Sequence, residues 1–461
     1  MNAKDRALAY VDEHFNEMVS ELKRACTCES TASNAEGREA MRQQLAADLK
    51  SAGLSPQSHP VDDGNALITA EMKGDCPETL LFYNHYDVVE PGKAENWTNK
   101  APFAADERDG KLYARGVSDD KGGLYFRIHA IRAMLAANGR LPVSVKFLIE
   151  GDEETSSRSM RKFADEHPEE FKELTRADIC LWENGRVDPA GHPWLRCGVR
   201  GAVAFDLRVT TARTDVHGRM GATVPSASWR LVWALSTLKD SKTERVAIDG
   251  FYDDVLPTTE ADLDVLRNFP YDEESYRKKL GVKSFVRGAS GEQLKEQMYL
   301  EPTMSICGLE AGEVHNGVRG IVPHTAYARI SCYLVADQNP DDIEKKLRSH
   351  LLKYGFSDVE VTRRGGAARP VRTPPDHPFR YRAARAAEKV YSQPLVVELT
   401  QLGAGPAALL RDVWPKLPIF GIGPANVTGN HHAPDENLGI QDYKNSIKFL
   451  IELCYSYAEQ A

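Results

Sequence analysis

Histidines and carboxylates recur in this 461-residue sequence at matching places, each just beyond a short apolar run. His85 follows LLFYN, Glu153 and Glu154 follow VKFLI, Glu183 follows ICLW, and His431 and His432 come shortly after LPIFGIG. A further pair, Asp119 and Asp120, sits where a loop enters a helical pattern starting near Leu124. Imidazole suits zinc and related metals, and carboxylate oxygens can bridge two such ions. A divalent metal with an open position activates water, and a neighbouring carboxylate outside the ligand set can take the proton. The adjacent pair Glu153–Glu154 could divide those two tasks. Asp87, two residues past His85 along an extended segment, is placed to hold the second imidazole nitrogen.

Taken singly, each residue has a plain structural use. A histidine after a strand is most often an ordinary hydrogen-bonded side chain, and Asp119 or Asp120 would serve as a helix N-cap. The chemical reading rests on joint placement at strand ends. In open α/β sheets, ligands bind beyond the carboxyl ends of the strands. If the four apolar runs share one sheet, their polar successors meet at one edge.

The elements that must position them alternate in type. A helical region runs to about Leu54, and LLFYN (Leu80 to Asn84) reads as a buried strand. A loop rich in Gly, Pro and Asn follows from Glu90 to Gly110. Leu124, Ile128, Ile131 and Leu135 recur as one face of a helix that Gly139 can stop. Val143, Val145, Phe147 and Ile149 alternate as a strand, and ICLW (Ile179 to Trp182) is another. This alternation predicts βαβ units and a mostly parallel sheet. In the middle of the chain, Ala202 to Val209 and Ala326 to Val335 read as strands, and Ser226 to Leu238 and Pro340 to Tyr354 as helices. The charged stretch from Asp240 to Glu301 has no dominant period. The α/β pattern resumes with a helix near Arg380 to Tyr391, LPIFGIG, and a closing helix from Asp442 to Tyr457. The expected organisation is a catalytic domain in two parts, 1–198 and 376–461, with a smaller α+β domain inserted at 199–375.

Composition narrows the function. Hydrophobic residues at 42% and charged residues at 27% describe a folded globular chain. A net charge of −9 argues against a partner bound through phosphates, so no nucleic acid is expected. No apolar run approaches the roughly 18 residues of a membrane span, and the N-terminus lacks an apolar signal core. Eight cysteines without a C-x-x-C motif predict a reduced, cytoplasmic protein.

Read together, the motifs FYNHYDVVEP, W-x-x-x-x-PF (Trp97 to Phe103), DGKLYARGVSDDKGG (Asp109 to Gly123), FLIEGDEETSS (Phe147 to Ser157) and HHAPDENL (His431 to Leu438) resemble a known family in order and spacing. It is the co-catalytic zinc exopeptidase and deacylase family of carnosinase-type dipeptidases, carboxypeptidase G, aminoacylase-1 and succinyl-diaminopimelate desuccinylase. NHYDVV, W…PF and RGxSDDKG are most similar to its dipeptidase branch. The resemblance implies a zinc-exopeptidase-type sheet flanked by helices, with a ferredoxin-like lid and dimerisation domain inserted. It implies two zinc ions per subunit about 3.5–4 Å apart, with cobalt or manganese as alternatives. His85 and Glu183 would bind one, Glu154 and His432 the other, and Asp119 would bridge them. Glu153 would be the general base and Asp87 would orient His85, while His431 stays outside the ligand set. The Asp119–Asp120 peptide would be cis. RTDVHGRMGATVPSASWRLVWAL resembles the lid segment, with His217 as the imidazole that reaches from a partner subunit to the scissile carbonyl. That role implies a homodimer.

Three positions depart from the dipeptidase pattern. The lid arginine that holds a substrate carboxylate is replaced by Tyr333, with Arg329 four residues away on the same strand face. Tyrosine cannot make a bidentate pair with a carboxylate. QLGAGPAALL carries Leu402 where a glutamate for the substrate amine is expected, leaving Glu398 as the nearby carboxylate. Glu183 is the choice of the carboxypeptidase and deacylase members, where many aminopeptidase-like dipeptidases use Asp. The sequence therefore predicts a two-zinc hydrolase of dipeptides or short peptides, with an N-acyl amino acid deacylase as the alternative chemistry and a non-catalytic metal-binding scaffold as the alternative class.

Overall fold

A computed structural model describes residues 1–61, 65–183, 185–313, 315, 317 and 319–459. Contacts divide the chain into two compact units. The first comprises Met1–Gly198, Arg372–Leu399 and the chain from Leu409; the second comprises Val199–Val371 and Thr400–Ala408. The chain thus returns to the first unit at Arg372, and a short excursion at Thr400–Ala408 goes back to the second.

The first unit is built on an eight-stranded sheet. Its order is Gln57–Pro60, Ala66–Met72, Leu141–Glu150, Gly74–His85, Ile179–Trp182, Ile419–Gly421, Trp194–Arg196 and Val396–Glu398. The four expected site-bearing strands are consecutive in that order. They pair parallel: Leu80 to His85 lie beside Val145 to Glu150, Leu80 to Phe82 beside Ile179 to Leu181, and Ile419 to Gly421 beside Cys180 to Trp182. Their carboxyl ends therefore face one edge. Leu80 to Asn84 and ICLW are buried throughout, as strands covered on both faces must be.

The helix Gly122–Asn138 packs on this sheet and beneath Ala3–Cys26 and Ile440–Ala458. Gly139 ends it in the left-handed region at φ 68°, returning its N–H to the Leu135 carbonyl at 2.7 Å. The sequence indicated one apolar face, but the helix is buried nearly all round from Gly122 to Met134. The second face is covered by the two outer helices, and Arg127 and His129 are enclosed with it. Among the described residues, no helix is long and apolar enough to cross a membrane.

The second unit follows a βαββαβ course. An antiparallel sheet runs Thr303–Ala311, Thr325–Leu334, Gly198–Thr210, Glu360–Ala368, and the helices Ala227–Leu238 and Pro340–Lys353 share one core on one of its faces. Val203, Phe205, Leu207 and Val209 alternate into that core. The charged stretch supplies three helices, Glu260–Asn268, Glu273–Leu280 and Gly291–Leu300. On the uncovered face, Arg329 and Tyr333 are both exposed, but Arg329 is committed to Asp206 at 2.7 and 3.0 Å.

Candidate metal centre

At the carboxyl edge of the first unit's sheet, His85 ends its strand with the ring only 1% exposed. Its Nδ1 lies 3.0 Å from the Asp87 main-chain carbonyl and 3.4 Å from the Asp87 carboxylate. A carbonyl only accepts, so Nδ1 carries a proton, and a ring that has lost its Nε2 proton to a bound cation would turn the Nε2 lone pair inward. The Asp87 carboxylate is spent elsewhere: it accepts the amides of Glu153 at 3.2 Å and Glu154 at 3.0 Å. Asp87 thus sets both the His85 tautomer, through its backbone, and the turn that presents the two glutamates.

Asp119 stands at the centre. Its Oδ1 is 3.2 Å from His85 Nε2, which is 3.4 Å from Glu183 Oε2. Its Oδ2 is 3.3 Å from His432 Nε2, which is 3.2 Å from Glu154 Oε1. Two ligands bonded to one zinc at about 2.0 Å with tetrahedral angles would sit about 3.3 Å apart. The His85–Asp119, His85–Glu183, Asp119–His432 and His432–Glu154 separations all have that spacing, and donor atoms of His85, Asp119 and Glu154 also lie within 4.8 Å of one another. Glu183 Oε2 and Asp120 Oδ1 are buried without a hydrogen-bond partner among the described residues, an arrangement that is costly unless a cation satisfies them, and Glu154 Oε1 faces the His432 ring. The donor set therefore fits a pair of divalent cations.

Asp120, joined to Asp119 by a cis peptide, turns the other way. Its Oδ2 accepts from Asn84 Nδ2 at 2.5 Å and from the His85 amide at 3.3 Å. A Cβ at position 123 would lie 1.9 Å from Asp120 Oδ1, so Gly123 makes room for this side chain. Asp120 also offers a donor atom within 4.8 Å of His85 and Glu183, a grouping the sequence did not suggest. His431 stays to one side, with Nε2 2.9 Å from Ser118 Oγ and Nδ1 3.7 Å from Asp119 Oδ2.

The charges follow from this crowding. Burial pushes Glu153 up to about 8, with His85 opposing and Glu154, Asp119 and Asp87 adding to the rise. Burial likewise raises Glu183 and Glu154, and lifts Asp120 to about 7. Burial would lower the His85 ring, but Glu183, Asp119 and Asp87 raise it well above the usual imidazole value. Hydrogen bonds to Asp119 and Glu154 raise His432 to about 10. Asp119 resists burial and is held well below the carboxylate range by His432 and His85. Enclosed carboxylates outnumber imidazoles here, and added positive charge would relieve them.

Three residues in this region were not singled out by the sequence. Arg127, fully buried, donates to the Tyr83 carbonyl at 2.7 Å, Asn84 Oδ1 at 2.6 Å and the Trp182 carbonyl at 2.7 Å, tying together the strands that end in His85 and Glu183. Buried Glu150 accepts from the Tyr83 hydroxyl. Glu436 binds the loop that carries Asp119. A cation at position 127 amid an apolar helical face was the one available hint.

His217 belongs to the second unit. It is exposed, in a two-residue strand paired with Ile321–Val322, and its Nδ1 accepts the Arg219 amide at 3.1 Å. The neutral ring therefore carries its proton on Nε2, pointing a donor away from its own loop. Glu398 is not available to a substrate amine. It is 1% exposed and held by Arg196 Nε at 2.7 Å and Arg186 Nη2 at 2.8 Å. Leu402 and Tyr333 are both exposed in the second unit.

Residues 81–456 match peptidase family M20/M25/M40. The chain is 30% identical to a Beta-Ala-His dipeptidase of Rattus norvegicus over 75% of its own length and 73% of that protein. It is 29% identical to a cysteinylglycine-S-conjugate dipeptidase of Corynebacterium striatum, over 92% of this chain and 91% of the relative. Among solved structures, an M20 family metallo-carboxypeptidase from Sulfolobus solfataricus superposes with a TM-score of 0.87 at 30% identity, covering 96% of this chain and 99% of that one.

Proposed function

The chain belongs to peptidase family M20/M25/M40, and from that premise we propose that this metallopeptidase hydrolyses the amide bond of dipeptides or short peptides at a two-zinc centre. The observation that carries the reading is Asp119, whose two carboxylate oxygens face two separate imidazole–carboxylate sets at 3.2 and 3.3 Å. His85, Asp119 and Glu183 would hold one ion, and Asp119, Glu154 and His432 the other. Cobalt or manganese would suit the same nitrogen and oxygen donors. Bound divalent metals supply Lewis acidity and bring the acidity of water near neutrality.

The chain's own residues do the rest. Glu153 is outside both donor sets; burial raises its carboxyl to about 8 in the metal-free chain, and the charge of bound cations would lower it again, so that it is ionised and able to accept a proton near neutral pH. It takes the proton of the attacking water and delivers it to the leaving amine. Asp87 keeps Glu153 in place through its amide and holds the His85 ring in the required tautomer. His217 of the partner subunit donates from Nε2 to the carbonyl oxygen as negative charge develops there. A homodimer is supported by an uncovered apolar surface in the second unit. Trp229, Val232 and Trp233 are exposed on one helix, and Ile306 and Leu309 on the edge strand Thr303–Ala311.

The dipeptide reading is supported by the activities named for the rat and Corynebacterium relatives. The N-acyl amino acid reading is favoured by Tyr333, Leu402 and the committed Glu398, which leave the expected carboxylate and amine contacts unfilled. All eight cysteines are thiols, six of them buried, which supports a reducing, cytoplasmic setting. Turnover of a dipeptide panel beside N-acetyl and N-succinyl amino acids, with zinc supplied, tests the assignment. Dipeptide cleavage supports it, and exclusive cleavage of the acyl amino acids would make the chain a deacylase. No turnover of either class would leave a metal-binding scaffold.

A further inference from the structure

Four residues beyond His432 lies a glutamate that the proposed reaction does not use. Glu436 is 1% exposed, yet both its oxygens are fully engaged. Oε1 accepts the amides of Ser118 at 2.9 Å and Asp119 at 3.0 Å. Oε2 accepts the Gly116 amide at 2.8 Å and Arg115 Nη1 at 2.6 Å. Three main-chain N–H groups and a guanidinium thus converge on one buried carboxylate, the kind of concave anion cradle that successive amides form.

The cradle joins two loops 317 residues apart in sequence. Arg115 reinforces the join from the other side, donating through Nη2 to the Ala433 carbonyl at 3.2 Å. The Ala114 amide donates to the Glu436 carbonyl at 3.1 Å, and Ser118 Oγ meets His431 Nε2 at 2.9 Å. Beyond Glu436, Asn437–Gly439 pairs with Lys111–Tyr113, so the downstream end of the loop is also fixed. One loop delivers Asp119, and the other delivers His432. Their separation is therefore set at Glu436, which grips the backbone of Asp119 itself.

We propose that Glu436 is a positioning residue for the cation pair: its buried carboxylate clamps the Gly116–Asp119 loop to the His432 loop and so fixes Asp119 against His432. The proposal rests on the two-metal reading above. In that reading, Glu436 touches neither cation and acts through the residues that do. Replacing it by glutamine keeps the volume but sets an NH2 group against two of the donors it now serves.

The test uses the full chain, stripped of metal and titrated with Co2+ while the visible absorption of the bound ion is followed. Zinc affinity is measured in parallel against a chromophoric chelator, and urea unfolding of the metal-free protein is recorded. Glu436→Gln should bind the more weakly held equivalent about 10–100-fold less tightly and alter its Co2+ spectrum. Glu436→Asp, withdrawn by one methylene, should fall between the two. Wild-type affinity for both equivalents with an unchanged spectrum in Glu436→Gln would overturn the proposal, whatever the variant's metal-free stability. If Glu436→Gln does not fold, Arg115→Lys decides: it leaves the amide cradle, and it should still weaken binding, whereas unchanged affinity and spectrum would overturn the proposal. A wild-type protein that binds no pair of ions would instead refute the two-metal reading.

Discussion

Glu153→Gln separates the base from the ligands beside it. Glutamine has the size of glutamate and Glu153 lies outside both donor sets, so bound metal should be retained. Loss of a positioned general base costs typically 10²–10⁴ in rate, or about 3–5 kcal/mol on the barrier. The same substitution has a consequence for stability with the opposite sign. Glu153 is raised from 4.5 to about 8 in the folded, metal-free chain. Between those values the unfolded chain has released its proton while the folded chain still holds it. Stability from this group is therefore complete below pH 4.5 and declines as pH rises towards 8, by about 1.4 kcal/mol per unit. At pH 7 the accumulated loss is on the order of 3 kcal/mol, and glutamine abolishes it. Metal-free Glu153→Gln should thus resist urea better than wild type at pH 7, with a gap under about 1 kcal/mol at pH 5. Steady-state kinetics on the zinc-loaded variant and urea titrations at the two pH values check both halves. Wild-type turnover with full metal content would show that Glu153 is not the base. A stability gap independent of pH would refute the burial argument.

Arg127→Met should cost at least roughly 3 kcal/mol in urea unfolding, because the carbonyls of Tyr83 and Trp182 and the Asn84 amide oxygen would be left buried and unpaired at about 1–3 kcal/mol each. His432, raised to about 10 without metal, is charged at neutral pH and must lose its proton to bind a cation. Zinc affinity should therefore rise with pH through the neutral range, and calorimetry in buffers of different ionisation enthalpy should detect proton release; none at pH 7 would contradict the assignment of His432. Trp229→Glu places a charge on the exposed apolar helix face and should convert the proposed homodimer to monomers in light scattering, with loss of turnover. A fully active monomer would remove His217 from the partner's active site.

The placement of the candidate site residues was legible where local pattern and topology coincide. Four short apolar runs are buried on both faces, which is what a central parallel sheet demands, and each releases its polar residues at the same edge. Asp119 and Asp120 were visible as carboxylates at a helix entrance. Arg127 was not, because the step of Leu124, Ile128, Ile131 and Leu135 describes one face and says nothing of helices covering the other. Glu436 forms its bonds to amides of a distant loop, and a backbone donor has no sequence signature. Sequence offers Glu398 only as a nearby carboxylate, because its partners Arg186 and Arg196 lie more than 200 residues away. The excursion at Thr400–Ala408 rests on a parallel pairing of Gln401 and Ala404 with Val199 and Arg200, a non-local contact without periodicity. The charged segment around Glu260 to Leu300 forms helices of eight to ten residues, too short for a period to stand out.

The central claim is that Asp119 holds two cations at once. Crystals grown with zinc and measured on both sides of its absorption edge test it directly. The account predicts two anomalous peaks about 3.5–4 Å apart, one beside His85 and Glu183, the other beside Glu154 and His432, with Asp119 between them. A single peak, or none at these side chains, would contradict it.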